Sequence, residues 1–227
     1  MLRTALSTGR HTLRHLPPRC APVRTFRGME AKPLDFAAGP LVWIDCEMTG
    51  LNPRTDKILE IAVLITNGNL ETVDEGISYI IKTDKEVLDK MDEWCQNTHG
   101  ASGLTQACIT SPHTKDFVQQ QVLDYIKKWI PRDRIGVLAG NSVHVDRAFL
   151  AEEMPEIVEW LHYRIVDVSS IKELARRWYR TSRHTSAKEP AHRALDDIQG
   201  SIRELKWYRE NLFLAPSLAP VVEQGRR

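Results

Sequence analysis

LVWIDCEMTGL, residues 41–51, begins as a buried strand: Leu41-Val42-Trp43-Ile44 is apolar and Asp45 ends the run. The pleat of a strand sends residues two apart to the same face, so Asp45 and Glu47 present their carboxylates together. Cys46 faces the other side and reads as a packing residue. An Asp-x-Glu pattern is weakly specific by itself, and Asp84-Lys85-Glu86 is a second match. Context separates the two, because Asp84-Lys85-Glu86 lies in a polar segment while Asp45-Cys46-Glu47 closes a strand expected inside a sheet.

Working outward, residues 57–67 (KILEIAVLITN) read as a second strand, Asn67-Gly68 as a turn, and residues 76–82 (GISYIIK) as a third strand. Short connections predict an antiparallel meander. From Thr114 to Ile130, Val118, Val122, Tyr125 and Trp129 share one helical face before Pro131 ends the run. Residues 135–139 and 164–168 read as short apolar strands, each followed by a helix, at 147–153 and 170–179. The expectation is an α/β fold with a mixed sheet, antiparallel meander plus parallel strands, flanked by helices. Residues 181–190 (TSRHTSAKEP) read as a polar loop.

The last helix, about 193–212, places Ala194, Leu195, Ile198, Ile202, Leu205 and Leu212 on one face. Asp196 points away from that face. Asp197 falls at its edge beside the sheet, where a carboxylate needs a partner such as a cation. Asp146 follows a strand-ending Gly140-Asn141-Ser142-Val143-His144 and opens a helix, so the competing reading is a helix N-cap. His192 precedes the final helix, five residues before Asp197, and a surface or capping histidine is its competing reading. Together, four acids and a histidine gather at strand ends and helix starts of one sheet. Such a set suits two hard divalent cations roughly 4 Å apart, which activate a water for phosphodiester displacement. A histidine is suited to take the water's proton.

Net charge is +1, but residues 1–29 hold six of the 31 basic residues, all Arg, and no acid. The remainder carries 25 basic and 30 acidic residues, a net −5, without the basic excess of a protein that tracks long nucleic acid. An Arg-rich, acid-free start with Ser, Thr and Leu is the composition of a mitochondrial presequence; a disordered basic tail is the alternative. The expected organisation is a presequence at 1–29, one domain at 38–213 and a tail at 214–227. That address implies the mitochondrial matrix, with a cytosolic form if translation starts at Met29. No apolar run suits a membrane span. Cys20, Cys46, Cys95 and Cys108 form no CxxC pair and read as reduced thiols rather than disulfides or zinc ligands.

These residues resemble the DEDDh 3′–5′ exonucleases, and within them the oligoribonuclease group. Residues 41–51 match the first exonuclease motif, GNSVHVD (140–146) the second and HRALDD (192–197) the third, in the family's order. WCQNTHGASGL (94–104) and LHYRIVDVSSIKELARRWY (161–179) are similar to the oligoribonuclease group rather than to proofreading domains. The resemblance covers about residues 40–213 and departs mildly around 181–190. It implies a ribonuclease H-like fold, Asp45, Glu47, Asp146 and Asp197 as ligands of two Mg²⁺ or Mn²⁺ ions, and His192 as general base. It also implies that Leu51 and Trp94 sandwich the bases of a dinucleotide with His99 nearby. Ser142, Arg164 and Ser169 would cap the terminal phosphate, and Tyr163 with Arg164 would come from the partner of a homodimer. From the residues alone, core aromatics are the competing reading of Trp94 and Tyr163.

The function implied is 3′–5′ hydrolysis of very short RNA, dinucleotides especially, to 5′ mononucleotides. Two alternatives stand beside it: a broader single-strand or DNA-proofreading exonuclease, and a catalytically silent nucleic-acid-binding protein of the same fold.

Overall fold

A computed structural model describes residues 32–179 and 193–213. The expected presequence and tail, the 181–190 loop and His192 lie outside the described residues. Strands β1 (Leu41–Met48), β2 (Ile58–Thr66), β3 (Ile77–Ile80), β4 (Val137–Gly140) and β5 (Ile165–Asp167) form one sheet in the order β3-β2-β1-β4-β5. β1 pairs antiparallel with β2, and β2 antiparallel with β3, which is the expected meander. β4 and β5 add in parallel on the other side of β1. β1 is therefore central, and β2 is buried along its whole length, as its nearly unbroken run of apolar residues requires.

The helices are α1 (Lys85–Leu88), α2 (Glu93–Ala101), α3 (Leu104–Thr110), α4 (Lys115–Trp129), α5 (His144–Glu153), α6 (Pro155–Trp160), α7 (Val168–Trp178) and α8 (Ala194–Asn211). On one face of the sheet, Val42, Ile44, Ile61 and Val63 pack with Val118, Val122 and Ile126 of α4 and Phe149 and Leu150 of α5. On the other face, Trp43, Ala62 and Leu64 pack with Val168 and Ala175 of α7 and Ala194, Ile198 and Ile202 of α8. Each face follows from the strand alternation meeting a helix whose apolar residues recur every three or four positions. A smaller cluster joins Leu59 of β2 to Leu88, Met91, Cys95, Leu104 and Cys108. Among the described residues, Cys46, Cys95 and Cys108 are buried and form no disulfide.

Several boundaries differ from the sequence reading; β1 runs on to Met48 rather than ending at Asp45, and α7 starts at Val168 rather than 170. The turn at Asn67-Gly68 forms as read, the Asn67 carbonyl accepting from the Leu70 N–H at 3.0 Å, but the connection to β3 runs on to residue 76: the Asn67 side chain accepts from the Asn69 and Glu71 N–H groups, and Thr66 bridges to Thr72. α5 begins at His144 rather than 147, because Ser142 adopts a left-handed φ of 60° and turns the chain straight into the helix. Asp146 is thus the third residue of α5, and the N-cap is Val143, so the capping reading of Asp146 is set aside. Finally, α1, α2, α3 and α6 were not foreseen; runs this short carry too few turns to show a period.

Candidate active site

The site lies where β1 outruns its parallel neighbour. β4 pairs with β1 only over Leu41 to Trp43, so from Ile44 onward that edge of β1 has no strand beside it. Gly140 ends β4, and a Cβ there would lie within 3.0 Å of both Val143 and the Ile44 carbonyl oxygen; glycine lets the chain pass this close. Asp146 of α5 then takes a place a strand would otherwise fill, its Oδ1 accepting from the Cys46 N–H at 2.9 Å.

Asp45 and Glu47 leave β1 on the face that carries α8, and Asp197, in the first turn of α8, meets them there. One carboxylate oxygen from each of the three lies within 4.8 Å of the others. Asp196 is exposed, so the side of α8 read from the helix wheel is the one observed. Burial, followed by the charges of Asp146, Asp197 and Glu47, holds the Asp45 carboxyl well above the usual carboxylate range. Burial likewise pushes Asp146 up to about 6, although hydrogen bonds from backbone N–H groups pull the other way. Gathering like charges under partial desolvation disfavours the metal-free charged state. Hard oxygen donors at this spacing fit divalent cations of the Mg²⁺ or Mn²⁺ kind.

Around the acids, the expected binding residues separate into two sorts. Leu51 is 82% exposed, Trp94 66% and Tyr163 66%, so none of them is a core side chain. Leu51 rides on a braced loop: Asp56 accepts from the Thr49 hydroxyl at 3.2 Å and the Asn52 N–H at 2.9 Å, and a Cβ on Gly50 would collide with that carboxylate. Trp94 sits in the first turn of α2, capped by Asp92, which accepts from the Cys95 N–H at 2.8 Å. His99, one turn on, is only 2% exposed; its Nε2–H donates to the Met48 carbonyl at 2.9 Å, and its Nδ1 lies 4.0 Å from Glu47 Oε2. Tyr163 lies flat against His162, with the Arg164 guanidinium over its ring. Ser142 and Ser169 are drawn together by a shared acceptor, Asp167, bonded to the N–H of each at 2.9 Å.

Residues 42–205 match the family described as Exonuclease, RNase_T. A probable oligoribonuclease of Schizosaccharomyces pombe is 52% identical over 170 residues, spanning 75% of this chain and 67% of that protein. The chain belongs to the exonuclease family, in its oligoribonuclease branch. The mitochondrial oligoribonuclease of Saccharomyces cerevisiae is 46% identical over 192 residues, 81% of this chain and 71% of that one. Among solved structures, the zinc-bound form of an Escherichia coli exonuclease I complex with single-stranded DNA superimposes with a TM-score of 0.62 at 13% identity. That likeness covers 77% of this chain and 41% of exonuclease I, and shows the shared fold.

Two further acids of this exonuclease, Glu60 and Glu204, are buried and face inward from apolar segments. Glu60 of β2, paired across from Glu47, is fully buried; it accepts from the Ser78 hydroxyl at 3.0 Å and from Arg193 Nη2 at 3.2 Å. Its signal was a single acid inside ILEIAVLIT. Glu204 of α8 accepts from the Tyr208 hydroxyl at 2.8 Å and pairs with Lys172 of α7 at 3.0 Å. Acids facing inward from apolar segments, read as a class, would have found both.

Proposed function

We propose that this chain is a metal-dependent 3′–5′ exoribonuclease that hydrolyses very short RNA, dinucleotides above all, to 5′ mononucleotides. The observation that carries the reading is the Asp45, Glu47 and Asp197 cluster at the open end of β1 in a chain of the oligoribonuclease branch. Asp146, reaching the same strand through the Cys46 N–H, completes the ligand set. Two divalent ions, Mg²⁺ or Mn²⁺, supply activation of the attacking water and charge neutralisation at the leaving oxygen when bound. His192 takes the water's proton. Leu51 and Trp94 hold the two bases between them, with His99 keeping Glu47 and the end of β1 in place. Ser142, Arg164 and Ser169 bind the terminal phosphate and so close the site to longer chains. Tyr163 and Arg164, exposed and stacked on one another, reach into the site of a second copy in a homodimer. Sedimentation checks this: a dimer is expected, and a strictly monomeric, fully active enzyme would contradict it.

Asp197→Ala is expected to abolish mononucleotide release from a labelled RNA dinucleotide with Mg²⁺; undiminished turnover would refute the site. A second reading, a broader single-strand or DNA exonuclease, is favoured by the fold shared with exonuclease I, whose structure holds single-stranded DNA. The net −5 of residues 30–227 weighs against it, because a long phosphate backbone calls for a basic track. No helix among the described residues is long and apolar enough to cross a membrane. Residues 1–29 act as a mitochondrial address in this reading, in line with the mitochondrial yeast relative. A fluorescent fusion is expected to enter mitochondria and, when started at Met29, to stay in the cytosol.

A further inference from the structure

Asp167 ends β5 directly opposite Gly140, the last residue of β4. Its carboxylate is the point where two otherwise separate chain turns meet. Oδ1 accepts three hydrogen bonds: from the Ser142 N–H at 2.9 Å, the Ser169 N–H at 2.9 Å and the Ser169 hydroxyl at 2.6 Å. Oδ2 faces His144 Nδ1 at 3.2 Å. An ionised carboxylate has no hydrogen to offer, so every one of these partners is a donor. The side chain is largely buried, with 7% of its surface exposed. Burial opposes its charge, yet the hydrogen bonds from Ser169, His144 and Ser142 outweigh burial and hold the carboxyl below its ordinary range. Ser142 meanwhile stands at φ 60°, a left-handed conformation that a serine keeps only when its surroundings hold it.

We propose that Asp167 is the positioning residue of the terminal-phosphate cap, fixing the β4–α5 turn that carries Ser142 and the start of α7 that carries Ser169 at one spacing. The inference rests on the reading of Ser142, Arg164 and Ser169 as that cap. Asp167 is negative and cannot itself attract a phosphate; its contribution is geometric. It also implies a small rearrangement on binding. The Ser169 hydroxyl hydrogen is committed to Asp167, and it must turn away to donate to a phosphate oxygen. The Ser169 N–H bond to Asp167 keeps the backbone in place while it does so.

The test compares kcat/KM for a 5′-phosphorylated RNA dinucleotide with that for the same dinucleotide bearing a 5′ hydroxyl. The full chain is used with Mg²⁺, as wild type, Asp167→Asn, Asp167→Ala and Arg164→Ala. The wild-type preference for the phosphorylated form is expected to fall at least about tenfold in all three variants, since hydrogen bonds to a charged group are at stake. Asp167→Asn and Asp167→Ala should turn over the 5′-hydroxyl substrate within about threefold of wild type, which also shows that they are folded; for Arg164→Ala an unchanged melting temperature shows it. If Arg164→Ala loses the preference and Asp167→Asn keeps it, the cap stands and the role of Asp167 falls. If Arg164→Ala keeps it, the cap reading itself falls and the inference with it. Equal loss on both substrates in Asp167→Asn would assign Asp167 to general support of the fold and overturn the proposal.

Discussion

The acids at the end of β1 and the exposed side chains around them are built on opposite terms. Asp45 and Glu47 stand on the central strand of the sheet, and Asp146 and Asp197 in first turns of helices packed on its two faces. Leu51, Trp94 and Tyr163 project into solvent from a loop, a short helix and a turn. Chemistry needs fixed distances between like charges, so its residues sit where packing is dense. In the proposed reading, holding bases needs free apolar surface, so Leu51 and Trp94 stay uncovered, and rigidity reaches their loop and helix through Asp56 and Asp92. The two regions should therefore respond differently to substitution.

The sharpest contrast is expected from Asp45→Asn. Loss of a carboxylate proposed to hold metal should lower turnover at least about 10³-fold, corresponding to several kcal/mol of transition-state stabilisation. The same change removes one of the crowded charges, so the metal-free variant should melt no lower than wild type, as calorimetry would show. A variant that loses activity only by unfolding would break the contrast.

Next comes pH. Asp146 holds its proton up to about 6 in the folded chain, whereas an unfolded aspartate releases it near 4. With the folded value raised, this group's contribution to stability is full below about pH 4 and is lost as pH rises through about 6. The loss amounts to about 3 kcal/mol in the metal-free protein. A divalent ion held by Asp146 as proposed would displace that proton, so Mg²⁺ affinity should strengthen as pH rises through the same range. Calorimetric titrations at pH 5 and 7 check this; equal affinities would contradict it.

In the outer region the effect should be smaller and confined to binding. Trp94→Ala is expected to weaken dinucleotide binding by about 1 to 3 kcal/mol, the worth of one stacked base, and to leave the melting temperature unchanged because the ring is exposed. A drop in stability would mean that Trp94 packs rather than binds.

The same division explains what could be read in advance. Periodicity places Asp45 beside Glu47 and separates Asp197 from Asp196, because burial of one strand face and one helix face leaves a mark on the sequence. The meander and the parallel strands after it are legible for the same reason. Nothing periodic marks Trp94 or Tyr163: an exposed aromatic on a nine-residue helix or a turn looks, in one dimension, like a buried one. Those positions came from the resemblance, and their exposure from the structure. Asp167 escaped both, since an acid at the end of a three-residue strand shows its role only when two distant serines are seen to share it.

Turnover measured with Mg²⁺ on a series of RNA and DNA oligonucleotides of increasing length tests most directly whether an acidic site closed around a terminal phosphate acts on very short RNA. Dinucleotides of RNA should be cleaved fastest, with rates falling steeply as nucleotides are added; a rate that rises with length, or a preference for long DNA, would contradict the account.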